Sequence, residues 1–591
     1  MSEISDLMNS TKYRALIFLA VLVCLIRPVA SEEVPRSSNS ISFVGNSSIS
    51  KYSLSKIKVR FDEKEGVLYP SLVGKEYFIS DIQPTRLSPD AVSQILHEIS
   101  AHYQEVGIPA TRAVVTKDAF YDSRSGKGLL IKILEGKISK VRIVQDKLSG
   151  RLLERKVKRI EQAVPLVEGA IIDSKKLDGS LGLMNRFSRQ YIQPILVPEN
   201  KGIVLEYRVQ QKEETAIKSK LDNYGSDRTG NYRLYGSIDT WNLLTPDDHF
   251  EIKALRTLEG ESSFIGAEYA IPLDLNSSNR IKVASYFSNY TAQDVGLGAL
   301  GIDFEGQSIS VNATYERTIA NHKGSYLDGF ASLRLIDVEQ DQTAIGVPEG
   351  QAKYLLPSLG LKYSKIGTDT SFLFGAKIEG NLPSTIDTPS AIGLNNLGRL
   401  NAENDFATAS IYGLCRTYID GLLGNDNKRI HEIELNASAS SSLGSRLPAS
   451  FLGVIGGHNN VRGYPVASAS GDSNAYLKFD YNLHIPRMMN LSRESSGHWL
   501  NALSPRFIGD FTQLDLTLGC FTDIGIVQNN DPLFYENDDK LWSAGLSLGA
   551  NYKDSLVVKL EYGWVLRELV TPFRHVDNGD GKFYLSLIYN W

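Results

Sequence analysis

Residues 542–552 read Trp-Ser-Ala-Gly-Leu-Ser-Leu-Gly-Ala-Asn-Tyr, and their alternation decides the fold. Ala544, Leu546, Leu548 and Ala550 share one parity; Ser543, Gly545, Ser547, Gly549 and Asn551 share the other. A β-strand sends successive side chains to opposite faces, so this strand has one apolar face and one small, polar face. The rhythm recurs in Ser308–Glu316, Ala475–Ile485, Leu556–Trp564 and Phe583–Trp591.

A soluble sandwich alternates in the same way. Three features point instead to a barrel in a membrane. The strands run about 9–11 residues, the length that crosses a bilayer when tilted. No helical pattern accompanies them to cover their apolar face. Tyr290, Tyr418, Trp564 and Trp591 stand at strand ends, where an interfacial girdle belongs. Lipid accepts an apolar outer face, and closure removes the strand edges that lipid cannot satisfy. At about 24 residues per strand and loop, residues 213–591 are expected to form about 16 strands, an even number.

The rest of the chain has another character. Twelve of the 49 glycines fall in residues 1–214 and 37 in residues 215–591, and helical periodicity is confined to the first part. Ser88-Pro89 offers an N-cap followed by proline at the first helical position. Val92, Ile95, Leu96, Ile99, Tyr103 and Val106 follow at helical spacing, and Gly107 ends the run. Strands are expected at Tyr52–Phe61, Arg112–Thr116 and Gly128–Leu134. A second set follows: a strand at Ile138–Val144, helices at Leu152–Ala163 and Ser174–Phe187, and strands at Ile192–Val197 and Gly202–Val209. Residues 51–136 and 137–212 thus read as two small α+β modules. The serine-rich stretch 31–50 reads as a linker.

Residues 1–30 read as a secretory signal: Lys12 and Arg14 precede the apolar run Ala15–Ile26, with cleavage expected after Ala30. That run is the longest in the chain and falls short of the roughly 20 residues of a membrane helix. Cys415 and Cys520 would remain in an oxidising compartment and are expected not to pair. The net charge is −5, from 63 basic and 68 acidic residues, with no basic excess of the kind nucleic acid requires. Three cysteines exclude a disulfide scaffold. No phosphate-binding loop and no i,i+4 histidine pair occur, so no nucleotide, cofactor or metal is called for. Gly545-Leu546-Ser547-Leu548-Gly549 matches a serine-hydrolase pattern, but that motif needs a strand–turn–helix elbow, and here it lies within a strand.

Three segments carry a family resemblance. The first runs from Leu221 to Arg233 and holds Asp222, Asn223, Gly225, Thr229 and Gly230. It resembles the first barrel strand and hairpin of two-partner secretion transporters (the TpsB class, haemolysin activator type). The second, Val461-Arg462-Gly463-Tyr464 within 453–472, resembles the tip of the inward-folded loop of that BamA-like superfamily. The third, Phe521-Thr522-Asp523-Ile524-Gly525, resembles the strand whose aspartate faces that arginine. The two α+β modules resemble POTRA domains. The family's N-terminal plug helix has no counterpart stripe in residues 31–50.

An arginine in a barrel lumen leaves bulk water, and a carboxylate matches its planar fork. Asp523 shares parity with Asp515, Thr517 and Gly519, against Leu514, Leu516, Leu518 and Cys520, so it is expected to face the lumen and Arg462. The resemblance implies a transmembrane antiparallel β-barrel preceded by two periplasmic POTRA-like domains. It implies a monomeric outer-membrane pore, not an enzyme, that secretes an unfolded TpsA-like exoprotein. The alternatives are a BamA-like assembly factor, which would carry a longer array of modules, and a diffusion porin, which needs none.

Overall fold

The computed structural model describes residues 40–61, 74–145, 153–199, 202–292, 304–342, 350–382, 397–424, 429–488, 513–571 and 574–591. The signal read at 1–30 and the first part of the linker lie outside them. Residues up to Gly136 form one compact unit, and residues from Lys137 onward form another.

In the first unit β1 (Ile41–Val44) is followed by α1 (Lys51–Ser55), β2 (Lys58–Arg60), β3 (Glu76–Phe78) and α2 (Pro89–Val106). Then come β4 (Thr111–Val114), α3 (Lys117–Arg124) and β5 (Leu129–Glu135). Ser88 caps α2 by accepting the Ala91 N–H at 3.1 Å, and Gly107 closes it at φ +106°. Val92, Ile95, Ile99 and Tyr103 of α2 are buried, as are Leu129, Ile131 and Ile133 of β5. Two expectations are corrected here. The stretch read as a linker ends in a strand, because β1 pairs in parallel with β5 and buries Phe43. Tyr52–Phe61 is not one strand: its first half is α1, capped by the Ser50 side chain on the Ser53 N–H.

The second unit opens with β6 (Ile138–Gln145), α4 (Leu153–Ala163), α5 (Ser174–Arg186), β7 (Gln190–Glu199) and β8 (Gly202–Gln211). The sheet order is β6-β8-β7, with β6 parallel and β7 antiparallel to β8. Leu177, Leu181 and Met184 of α5 are buried.

The barrel starts with β9 (Thr215–Asp222), β10 (Arg233–Trp241), β11 (His249–Thr257), β12 (Ser262–Pro272) and β13 (Asn279–Ala292). It continues through β14 (Phe304–His322), β15 (Ser325–Gln342), β16 (Gly350–Lys365), β17 (Thr370–Gly380), β18 (Ala407–Tyr418) and β19 (His431–Ser441). A short hairpin, β20 (Gly453–Ile455) and β21 (Ala469–Gly471), interrupts the wall. β22 (Ser473–His484) resumes it, then α6 (Ile485–Met488), β23 (Leu514–Gln528), β24 (Lys540–Tyr552) and β25 (Leu556–Val565) follow. After the hairpin β26 (Leu569–Thr571) and β27 (Arg574–Val576), β28 (Gly581–Asn590) pairs antiparallel with β9 and closes a sixteen-strand barrel.

Parity sorts side chains as a bilayer demands. On β24 Leu546 is 53% exposed on the outside, while Ser547 is 4% exposed on the inside. On β15 Leu333 and Leu335 face outward, and Arg334 turns inward to Glu379. Tyr418 departs from the expected girdle. Its ring faces His484 at 5.8 Å and its hydroxyl accepts from Arg487 at 3.3 Å, inside the wall. Cys415 and Cys520 are free thiols. Among the described residues no helix is long and apolar enough to cross a membrane.

The second module is bolted to one end of the barrel. Arg186 of α5 donates to both carboxylate oxygens of Asp328 at 2.8 and 2.7 Å, and Asp328 is fully buried. Tyr326 Oη donates to the Gly182 carbonyl at 3.0 Å, and Arg159 of α4 donates to the Asp274 carbonyl at 2.7 Å.

Candidate functional site

At the opposite end the chain leaves β19 at Ser442 and returns at Ser473. Between them β20 and β21 carry a tight tip down into the lumen. Asn460 shapes the tip: its Oδ1 accepts the N–H of Gly456 at 2.7 Å and of Val461 at 2.8 Å, and its Nδ2 donates to the Val454 carbonyl at 2.9 Å. The next residue but one, Arg462, is 1% exposed.

Every N–H of that guanidinium is used. Nε donates to Asp523 Oδ2 at 2.7 Å and Nη2 to Asp523 Oδ1 at 2.7 Å. Nη1 reaches Asp480 Oδ1 and Glu561 Oε1, both at 2.7 Å, and Nη2 reaches Asp480 Oδ2 at 3.0 Å. The backbone N–H of Arg462 adds a bond to Asp523 Oδ2 at 3.0 Å. The guanidinium carbon lies 3.5 Å from the centre of the Phe521 ring, an arrangement that favours a desolvated cation. Lys559 sits 3.0 Å from Glu561, and Lys478 Nζ donates to the His458 carbonyl at 2.7 Å. Three cations, Arg462, Lys478 and Lys559, thus face three carboxylates, Asp480, Asp523 and Glu561. Burial on this scale is tolerable only because each charge is matched and hydrogen-bonded.

Backbone shape makes the fit. Gly463 has φ +89°, and a Cβ there would stand 3.1 Å from the Gly563 carbonyl, so the tip lies backbone against backbone on β25. A Cβ at Gly525 would stand 2.7 Å from the Val461 side chain. Thus Phe521, Asp523 and Gly525, at every second residue of β23, support the guanidinium, neutralise it and make room for its neighbour. The Gly463 N–H donates to Tyr584 Oη at 3.0 Å, and Tyr464 Oη donates to the Trp542 carbonyl at 3.1 Å. Val461 and Tyr464 sit in an apolar cluster with Ile455, Val527, Leu541 and Val565.

The hairpin after β9 meets the same tip. Buried Asp222 accepts from Arg233 Nε at 2.8 Å and from the Tyr224 N–H at 3.0 Å. The Asn223 side chain works as an extra strand residue at the β9–β28 seam: it donates to the Phe583 carbonyl at 2.9 Å and accepts the Leu585 N–H at 2.8 Å. Tyr224 stacks on His458 of the tip, ring centres 3.5 Å apart. Gly225 donates its N–H to the Asn231 carbonyl at 3.0 Å, the Ser226 and Thr229 hydroxyls bond at 2.7 Å, and a bridge between Ser226 and Gly230 closes the turn.

The residues singled out by sequence therefore lie together, in or beside the lumen. Four that complete the site were not singled out: Asp480, Glu561, His458 and Tyr584. The first two had a signal, since both fall on the polar parity of their strands. Ser547 lies mid-strand in β24 and not at a strand–turn–helix elbow.

A closed barrel, apolar outside and charged within, preceded by α+β modules and threaded by an arginine-tipped loop, defines an outer-membrane β-barrel transporter. The family model of the haemolysin secretion/activation proteins ShlB/FhaC/HecB matches residues 202–496, and the chain belongs to this family of two-partner secretion transporters. Two solved structures share its fold. CdiB from Escherichia coli is 15% identical with a TM-score of 0.65, covering 96% of this chain and 93% of that one. CdiB from Acinetobacter baumannii is 15% identical with a TM-score of 0.59, covering 99% and 98%. No curated protein matches the sequence. The family consists of outer-membrane secretion channels, not enzymes, and its members work with secreted exoproteins.

Proposed function

We propose that this transporter recognises one unfolded exoprotein in the periplasm and passes it to the cell surface, with the two α+β modules acting as POTRA-type receptors. The observation that carries the reading is how the loop is held in the lumen. Its tip joins the wall through side chains and single backbone contacts, above all the five N–H bonds of Arg462, and not through a strand ladder. A plug held that way can leave and return while the barrel stays closed. The second module supplies a place to capture cargo. Among the described residues each outer strand of the order β6-β8-β7 has a side with no strand partner, β6 bonding there at Ile138 to residues 169 and 170, and Pro194 and Pro198 deprive β7 of donors. An extended segment of the partner adds along β6, contributing main-chain hydrogen bonds. Val141→Pro in the middle of β6 tests this. Secretion of a co-expressed cognate exoprotein is expected to fall while barrel abundance is unchanged; undiminished secretion rejects capture on that edge.

A further inference from the structure

A second arginine is as fully bonded as Arg462, and it lies at the mouth opposite the second module. Arg399 donates Nη2 to Asp472 Oδ2 at 2.8 Å and Nη1 to Asp472 Oδ1 at 2.5 Å. Its Nε reaches Glu536 Oε1 at 2.9 Å and its Nη1 the Leu447 carbonyl at 2.8 Å. Arg446 grips the same Glu536 with Nη1 at 2.7 Å and Nη2 at 2.9 Å, and donates Nε to the Leu400 carbonyl at 3.0 Å. Asp472 also accepts the N–H of Leu447 at 2.6 Å and of Asn530 at 2.8 Å. Asn530 Nδ2 donates to Ser442 Oγ and to the Ser445 carbonyl, both at 2.7 Å.

These residues come from three separate segments: 397–406 before β18, the loop 442–472, and residues 529–539 between β23 and β24. Two arginines and two carboxylates balance, and Arg399, Arg446 and Asp472 are buried. The network joins two apolar packings on different parts of the wall. On one side Leu397, Phe406 and Leu447 pack with Tyr354 and Leu356 of β16 and Ile336 of β15. On the other, Ala469 and Ile455 pack with Val527 of β23, Leu541 of β24 and Val565 of β25. None of the four charged side chains belongs to either packing, and Leu447 ties the first packing to the network through its backbone, accepting from Arg399 and donating to Asp472.

We infer that the outer mouth is closed by a two-part lid whose halves are joined by an ionic latch, Arg399 and Arg446 with Asp472 and Glu536, and that the pore opens outward by parting this latch. The strands below keep their own ladders when it parts. Asp472, one residue before β22, makes the return leg of the inward loop part of the latch, so the lid and the plug share a hinge. The inference goes beyond the proposed export route, because closure to small ions needs no cargo.

The test is single-channel conductance of the full-length protein in planar bilayers bathed in potassium chloride, with Cys415 and Cys520 replaced by serine. Glu536→Gln keeps the shape and removes the charge. It is expected to raise the open fraction about tenfold or more, the scale of one lost charge-assisted hydrogen bond. In a second variant, Ser442→Cys with Asn530→Cys, copper–phenanthroline oxidation is expected to weld the two loops and abolish openings, with recovery on reduction. Heat-modifiability on gels checks that both barrels fold. An unchanged open fraction in Glu536→Gln, failure of the two thiols to cross-link, or unaltered openings in the welded protein overturns the latch.

Discussion

Arg462 concentrates the energetic stakes of the lumen in one side chain. Its removal takes the guanidinium from three carboxylates and leaves only Glu561 with a close lysine, Lys559 at 3.0 Å, and breaking such an assembly costs about 3–5 kcal/mol. Arg462→Ala is expected to free the loop and cut secretion strongly while the barrel still reaches the membrane. Asp523→Asn is expected to be milder, because Arg462 keeps Asp480 and Glu561. The Arg462→Ala and Asp523→Ala pair is expected to be less than additive in a double-mutant cycle read by secretion, with protease cutting of the loop as second readout; strict additivity would mean the two act apart. Parity placed Asp523 on the lumenal face and the motif brought it to Arg462. Parity could not select Asp480 or Glu561, because it assigns a face to a residue but not the height at which a loop from elsewhere will meet it.

Within single strands, alternation sets the cost of substitution. Leu546 stands mid-strand on the outer face of β24, so Leu546→Arg is expected to destabilise the barrel by about 2–4 kcal/mol. Ser547→Ala, on the inner face, is expected to leave stability and secretion intact; refolding titrations compare the two. Gly519 lies directly across from Ser547, and its absent Cβ would meet Ser547 Oγ, so a larger residue at 547 meets crowding that parity did not reveal. In the outer loops Glu536 supplies a pH dependence. Burial pushes its carboxyl up, but hydrogen bonds from Arg446, the Leu533 N–H and Arg399 outweigh that and hold it at about 2, against an ordinary 4.5. A carboxyl held low stabilises the folded state above its unfolded value and loses that contribution as pH falls through the folded value. The open fraction in bilayers is therefore expected to stay flat from pH 8 to about pH 5 and rise between about pH 4.5 and 2. Some elements were hidden from pattern reading. α3 is a short helix of mostly polar residues with little apolar stripe, and β1 is four residues whose pairing with β5 is its main support.

For the whole molecule, the barrel ladder closes without help from the modules, since β9 through β28 pair only with one another. Deleting residues 51–212 is expected to leave a heat-modifiable barrel and abolish secretion. That deletion also removes Arg186 from Asp328, which keeps the Thr318 hydroxyl at 2.8 Å and Lys362 at 3.9 Å, so a modest loss of thermal stability is expected alongside. Arg186→Ala in the full chain reproduces that part alone, and thermal unfolding of the two proteins separates the contributions. Secretion at normal levels from the truncated protein would exclude the receptor role.

The sequence alone determined which residues face lipid and which face the lumen, because a period of two is a local property of the chain and a bilayer enforces it along every strand. It determined the approximate strand number and the division into modules and barrel, since glycine use and helical periodicity change where the environment changes. Only the tertiary structure decided which inward-facing charges meet. Arg462 is gathered with Asp480, Asp523 and Glu561 from three strands, and Arg399 with Asp472 and Glu536 from separate loops. Those meetings depend on strand register and on the descent of one loop into the barrel. Long-range geometry of that kind balances buried charges that no local pattern can pair.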